Sequence, residues 1–170
     1  MRLIRLTPDF PLLGFDCGDN DLNEFLLEDA KRFLEKRIAN TFLLEEEGHV
    51  AAYFSLLNDK ISRLEVTNSQ WRIIKDFFPD GKRFRSYPTV KIGRFAVSLD
   101  YRGRSIGTDL MLLIKKLLYK DQNYSAFRFL TVDAYLTAID FYRKNGFREL
   151  TPKKDDEHTQ LMFFDMMNVR

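Results

Sequence analysis

The sequence predicts an α/β fold in which a mixed, mostly antiparallel sheet surrounds one parallel β-α-β unit. Three observations carry this. Residues 89–98, TVKIGRFAVS, and 127–136, FRFLTVDAYL, are β-rich runs with the length of buried strands. Between them Ile106, Leu110, Leu113, Ile114, Leu117 and Leu118 form one apolar stripe at helical spacing, with Lys115, Lys116 and Lys120 off it. A strand, a helix and a strand of these lengths join as a parallel crossover, almost always right-handed. The third observation is a pair of hairpin-like segments. NTFLLEEEGHVAAYFSLL turns at Glu46-Glu47-Gly48, and FRELT and QLMFFDMM flank the polar loop PKKDDEH.

The other elements follow in chain order. RLIRLT (2–7) reads as a short strand, broken off by Pro8, Pro11, Gly14 and Gly18. DNDLNEFLLEDAKRFLEKRI opens on residues suited to capping. Within it Leu22, Phe25, Leu26, Ala30, Phe33, Leu34 and Ile38 recur near helical spacing, so an amphipathic helix is expected. ISRLEV reads as a strand, SQWRIIKDFF as a helix and PDGKRFRSYP as a basic loop. TAIDFYRKNG is a short helix ended by Gly146.

Length and composition bound the function. At 170 residues a single domain, 1–170, is expected. Hydrophobic residues make up 45% and charged ones 31%, an ordinary globular balance. A net charge of +2, from 27 basic and 25 acidic residues, argues against a surface devoted wholly to nucleic acid. The one cysteine, Cys17, excludes an internal disulfide, and a cytoplasmic chain is expected. MRLIRLTPDF lacks the apolar core of a signal peptide, and no apolar run is long enough for a membrane span. His49 and His158 stand apart without ligand spacing, so no metal is expected. Cys17 reads as a small, partly buried residue.

The chemistry concentrates at YRGRSIGTDLM, residues 101–111, where a strand passes into a helix. The first N–H groups of a helix have no internal partner, and the helix dipole makes that end electropositive. Small residues there let a phosphate approach the backbone. The spacing is neither GxGxxG nor a Walker loop. On the residues alone, a plain turn with Gly103 left-handed explains the stretch equally well.

RGRSIG fits R/Q-x-x-G-x-G/A except at Ser105, and AIDFYRKNGF follows about thirty residues later. Together they resemble the GNAT family of N-acetyltransferases, most strongly over 88–150. The resemblance implies a GNAT-like three-layer fold, with strands 89–98 and 127–136 parallel and splayed where acetyl-CoA binds. Phe95, Ala96 and Val97 would pair with the pantetheine arm. Arg102, Gly103, Arg104, Ser105, Ile106 and Gly107, with Thr108, would hold the pyrophosphate. Tyr142 would protonate the departing thiolate. Two positions depart from the family pattern: Ser105 replaces a glycine, and Tyr135 stands where an asparagine is usual. FDCGDNDLNEFL, with YPTVKIGRFAVSLDYRGRSIG and VDAYLTAIDFYRKNGF, is similar to the subgroup that contains aminoacyl-tRNA-acetylating toxins.

The expected activity is therefore direct transfer of an acetyl group from acetyl-CoA to an amine, with no metal. Small-molecule and macromolecular acceptors, including charged tRNA, stay open, as does a homodimer. Asp133, Glu65 and a water chain are alternatives for the base. A coenzyme A sensor without turnover is one rival, with Ser105 and Tyr135 in its favour. An RNA-binding toxin-like enzyme is another. For RNA, Lys82, Arg83 and Arg85 around Phe84 are a better patch than Lys31, Arg32, Lys36 and Arg37, although simple solvation explains both.

Overall fold

A computed structural model describes residues 1–79, 84–120, 125–150 and 156–169. Seven strands form one mixed sheet in the order β1-β2-β3-β4-β5-β7-β6, with β4 and β5 parallel. In chain order they are β1 (Arg2–Arg5), β2 (Asn40–Glu46), β3 (His49–Ser62), β4 (Ser86–Val97), β5 (Phe129–Tyr135), β6 (Arg148–Glu149) and β7 (Thr159–Asp165). The helices are α1 (Asn20–Glu24), α2 (Ala30–Glu35), α3 (Asn68–Lys75), α4 (Ile106–Lys120) and α5 (Ile139–Lys144). The chain gathers into two compact units. One is Met1–Leu57 with Ile92–Ile114, the other Asn58–Lys91 with Lys115–Arg170.

In the first unit β1 and β2 pair antiparallel from Arg2↔Glu45 to Arg5↔Phe42. The expected hairpin forms between β2 and β3. Its turn places Glu47 at φ 51° and Gly48 at φ 85°, the two positive values that let a tight turn follow the twist of the strands. The expected amphipathic helix also forms, with a π-helical turn at Phe25–Asp29 between α1 and α2. Asp19 caps it by accepting from the Leu22 N–H (3.1 Å). Phe25, Leu26 and Ala30 are buried against Leu6, Leu43, Tyr53 and Ala96. Each large apolar side chain removed from water contributes about 1.5–3 kcal/mol.

The second unit is built around rings. Tyr87 stacks on Phe78 at 3.6 Å and on Trp71 at 5.5 Å. Phe129 meets Phe78 and Phe163 edge-on. Thr67 caps α3, which turns Trp71 and Ile74 inward. β5 and β7 pair antiparallel from Phe129↔Asp165 to Tyr135↔Thr159, and β6 adds to β7. Arg128 makes a two-pronged contact with Asp165, both bonds 3.1 Å, and donates to the Phe77 carbonyl.

One expectation changes. ISRLEV is not a separate strand: Ile61 and Ser62 end β3, and Arg63–Glu65 turn away from it. The expected hairpin ends at Leu57, which leaves the polar residues Asn58, Asp59 and Lys60 unassigned between it and ISRLEV. They remain in the strand because the more exposed positions 58 and 60 alternate with 59. Part of the PKKDDEH loop lies outside the described residues.

Candidate functional site

In the first unit β4 ends at Val97, a single 3-10 turn follows at Leu99–Tyr101, and α4 begins at Ile106. Gly103 has φ 76° and Ser105 φ 59°. Both residues are left-handed, which glycine adopts at no cost and a serine does not. Ile106 is buried and pins the start of the helix to the core. The first α4 bond runs from Asp109 N–H to Ser105 O (3.1 Å). The N–H groups of Ile106, Gly107 and Thr108 therefore precede the helical ladder, at the positive end of a 15-residue helix. Arg102, Gly103, Arg104, Ser105 and Thr108 are all exposed.

The φ of Ser105 explains why the family pattern has glycine there. Ser105→Gly should raise unfolding stability by about 1 kcal/mol. Chemical denaturation measures this; a loss of stability would mean that the hydroxyl contributes more than the strain costs.

The two arginines of the loop differ. Arg104 lies over the Tyr101 ring, 5.3 Å from its centre. Arg102 donates its main-chain N–H to Leu99 O (3.3 Å), and its guanidinium donates to the carbonyl of Cys17. Along β4, Ala96 faces the core while Phe95 and Val97 are half-buried. A cavity of about 640 Å³ lies beside the loop, lined among others by Phe15, Asp16, Glu46, His49, Asp100 and Arg104. Three carboxylates against one arginine make it a poor phosphate site, so the N-terminus of α4 is the favourable one for an anion.

Tyr142 lies on α5 in the second unit. It is buried, with the rings of Phe141 and Phe147 edge-on at 5.2 Å and 5.4 Å. Burial pushes its phenol well above the usual tyrosine range, so the group stays protonated. Asp133, a candidate base, has its carboxylate engaged by the Lys91 ammonium, which is also 3.6 Å from Asp59. Burial opposes the Lys91 charge, but Asp133 and Asp59 outweigh it and raise its pKa. Glu65 is exposed in the turn after β3, and His49 and His158 are exposed. Lys82 and Arg83 lie outside the described residues; Phe84 and Arg85 are exposed. Among the described residues no group of three or more His, Cys, Asp or Glu is placed to hold a metal ion.

Periodicity had put Lys115 off the apolar stripe, yet it is buried. Its ammonium donates to the Asn145 carbonyl at the end of α5 and sits 3.9 Å from the centre of the Phe164 ring. Burial pushes its pKa down to about 8, from an ordinary 10.5. The unfolded chain thus binds the extra proton between these values, and this residue's contribution to stability rises with pH across that window. Burial raises Cys17, Tyr53 and Tyr142, which act with the opposite sign above their ordinary values. The test is therefore a difference: relative to Lys115→Met, the wild type should gain stability between pH 8 and 10.5. A constant difference over that range would refute the assignment.

A family model described as "Acetyltransferase (GNAT) domain" matches residues 37–149. Solved structures share the fold along almost the whole chain. A bacterial toxin aligns with TM-score 0.83 and 17% identity, covering 99% of this chain and 92% of its own. AtaT complexed with acetyl-methionyl-tRNAfMet aligns with TM-score 0.79 and 24% identity, covering 99% and 96%. A tyrosine-to-phenylalanine mutant of the AtaT toxin, bound to the C-terminus of the antitoxin AtaR and to acetyl-CoA, aligns with TM-score 0.74 and 21% identity, covering 99% and 94%.

Proposed function

Because the chain belongs to the GNAT acetyltransferase family, we propose that residues 1–170 work as one N-acetyltransferase domain with the loop before α4 as its coenzyme site. The enzyme moves an acetyl group from acetyl-CoA to an amine. The observation that carries the site is the left-handed backbone at Gly103 and at Ser105, which delivers the chain to a helix start with three unpaired N–H groups. In this reading the main chain of the loop from Gly103 to Thr108, entered through Arg102, receives the pyrophosphate, and Phe95–Val97 align the pantetheine arm. The neutral amine attacks the thioester directly, and holding both reactants together supplies much of the rate. Backbone N–H groups of β4 polarise the carbonyl. Tyr142 donates its proton to the departing sulfur. Since Lys91 occupies Asp133, Glu65 or a water chain is the better base.

Charged tRNA is the acceptor we favour. The FDCGDNDLNEFL segment is toxin-like, and toxin structures share the fold, one of them AtaT with an acetylated aminoacyl-tRNA. A cytoplasmic setting agrees with this substrate. Among the described residues no helix is long and apolar enough to cross a membrane. The test is coenzyme A release over a panel of polyamines, peptides, lysine, aminoglycosides and charged tRNAs. Release with charged tRNA alone, and growth arrest on expression, are expected. Release only with a small amine would remove the tRNA acceptor and leave the enzyme. Binding of coenzyme A without release from any acceptor would favour a sensor.

A further inference from the structure

The FDCGDNDLN segment has no part in the chemistry above, yet it is densely hydrogen-bonded beside the coenzyme loop. Asp16 folds back on itself: one carboxylate oxygen accepts from the Gly18 N–H (2.8 Å) and from Asn23 Nδ2 (2.9 Å). The Asn23 carbonyl oxygen in turn accepts from the Cys17 N–H (2.9 Å). Asn23 is held by α1, which the Tyr53 hydroxyl anchors by donating to Leu22 O (2.7 Å). A closed knot, residues 16–23, is thereby tied to the buried core. Cys17 is buried within it.

The knot reaches the loop at three places. The Leu99 N–H donates to the Asp16 carbonyl (2.9 Å). The Arg102 guanidinium donates to the Cys17 carbonyl. Gly18, at φ 81°, takes a left-handed turn beside the loop, where a Cβ would make ordinary contact with Leu99 at 3.5 Å and Arg102 at 3.6 Å. Nearby, Arg102 helps hold the Asp16 carboxyl below its usual range, after the Gly18 and Asn23 hydrogen bonds. Both polar ends of Arg102, its main-chain N–H and its guanidinium, are thus engaged within the protein.

We propose that residues 16–23 are a strap that positions the coenzyme loop, and that Arg102 is its fastening, a positioning residue and not a phosphate ligand. This rests on the loop being the coenzyme site. The strap explains how a loop with two left-handed residues keeps one shape. Main-chain donors bind a diphosphate well only if they already converge before it arrives. Loosening the strap costs coenzyme affinity without touching the acid that protonates the thiolate.

The experiment uses the full chain with Asn23→Ala, Arg102→Gln, Arg102→Lys and the Asn23→Ala/Arg102→Gln double variant. Coenzyme A affinity is read by calorimetry, and kcat and KM are read with acetyl-CoA. Each single change should weaken binding roughly tenfold, as for losing one member of a shared network. The double variant should be little worse than either single one, because both release the same strap. Lysine should not rescue, since its compact, strongly hydrated ammonium does not reproduce the planar guanidinium that reaches the Cys17 carbonyl. KM for acetyl-CoA should rise with kcat nearly unchanged. Losses that multiply in the double variant, with lysine retaining affinity, would make Arg102 a direct phosphate ligand and overturn the proposal. Normal affinity in folded Asn23→Ala would overturn it as well. If the wild type binds no coenzyme A, the functional reading falls, and amide hydrogen exchange of residues 99–105 in the ligand-free chain decides the strap. Faster exchange in Asn23→Ala supports it; unchanged exchange removes it.

Discussion

Tyr142→Phe should lower turnover by roughly 10²–10⁴-fold, the range for losing a positioned acid. The substitution removes one oxygen from a ring that is already buried among Phe141 and Phe147. Stability should stay within about 1 kcal/mol of the wild type, and coenzyme A affinity should hardly move. With an ordinary pKa near 10, a phenol would exchange its proton with a thiolate on nearly equal terms. Burial raises Tyr142 above that value, so it is a weaker acid in the free protein and remains protonated as the medium turns alkaline. In the proposed role it would then hydrogen-bond the developing thiolate as well as complete the transfer. A second expectation follows from the sign. Because a raised acid pKa keeps the active form in place, loss of the Tyr142 proton should not limit kcat below about pH 10. Steady-state kinetics of both proteins against pH check this. Near-normal turnover in Tyr142→Phe would assign the proton to water or another group.

Coenzyme A binding should weaken on Gly107→Asp by roughly 5–200-fold. A carboxylate about 5 Å from a diphosphate costs about 1–3 kcal/mol between water-like and surface-like screening. Gly107 is in the first turn of α4, where the side chain is the only change and the helix start is otherwise kept. Gly103→Pro acts by a different route. Gly103 has φ 76°, and proline holds φ near −65°, so the loop must take another path. Both variants should lose affinity, Gly103→Pro with some loss of stability and Gly107→Asp with little. Calorimetry beside a thermal melt separates the two. Unchanged affinity in folded versions of both would place the diphosphate elsewhere.

The parts of the fold that could be read from the chain are those with a period. The α4 stripe, the runs that became β4 and β5, and the Glu47-Gly48 turn all repeat a local rule: apolar spacing, β-branched content, or a residue tolerant of positive φ. The strand that became β3 was read only to Leu57, because the polar Asn58-Asp59-Lys60 breaks its apolar run. Its extended backbone is held by pairing, which no local rule contains. The π turn at Phe25–Asp29 was invisible for the same reason. It inserts one residue into a regular helix, and its hydrogen bond, Ala30 N–H to Phe25 O, leaves no mark in the spacing.

Chemistry divides along the same line. RGRSIG and FYRKNGF are contiguous, and the sequence by itself determined the family and the acetyl donor. Residues distant in the chain acquire roles only when they meet. Asp133 was one of several alternatives for the base until Lys91 closed on it, and Lys115 lay off the apolar stripe until the end of α5 and the Phe164 ring covered it. Arg102, which its motif places in the phosphate loop, turns its guanidinium to the Cys17 carbonyl, 85 positions away. Charge, burial and hydrogen-bond partners depend on neighbours in space, and only the tertiary structure decided them.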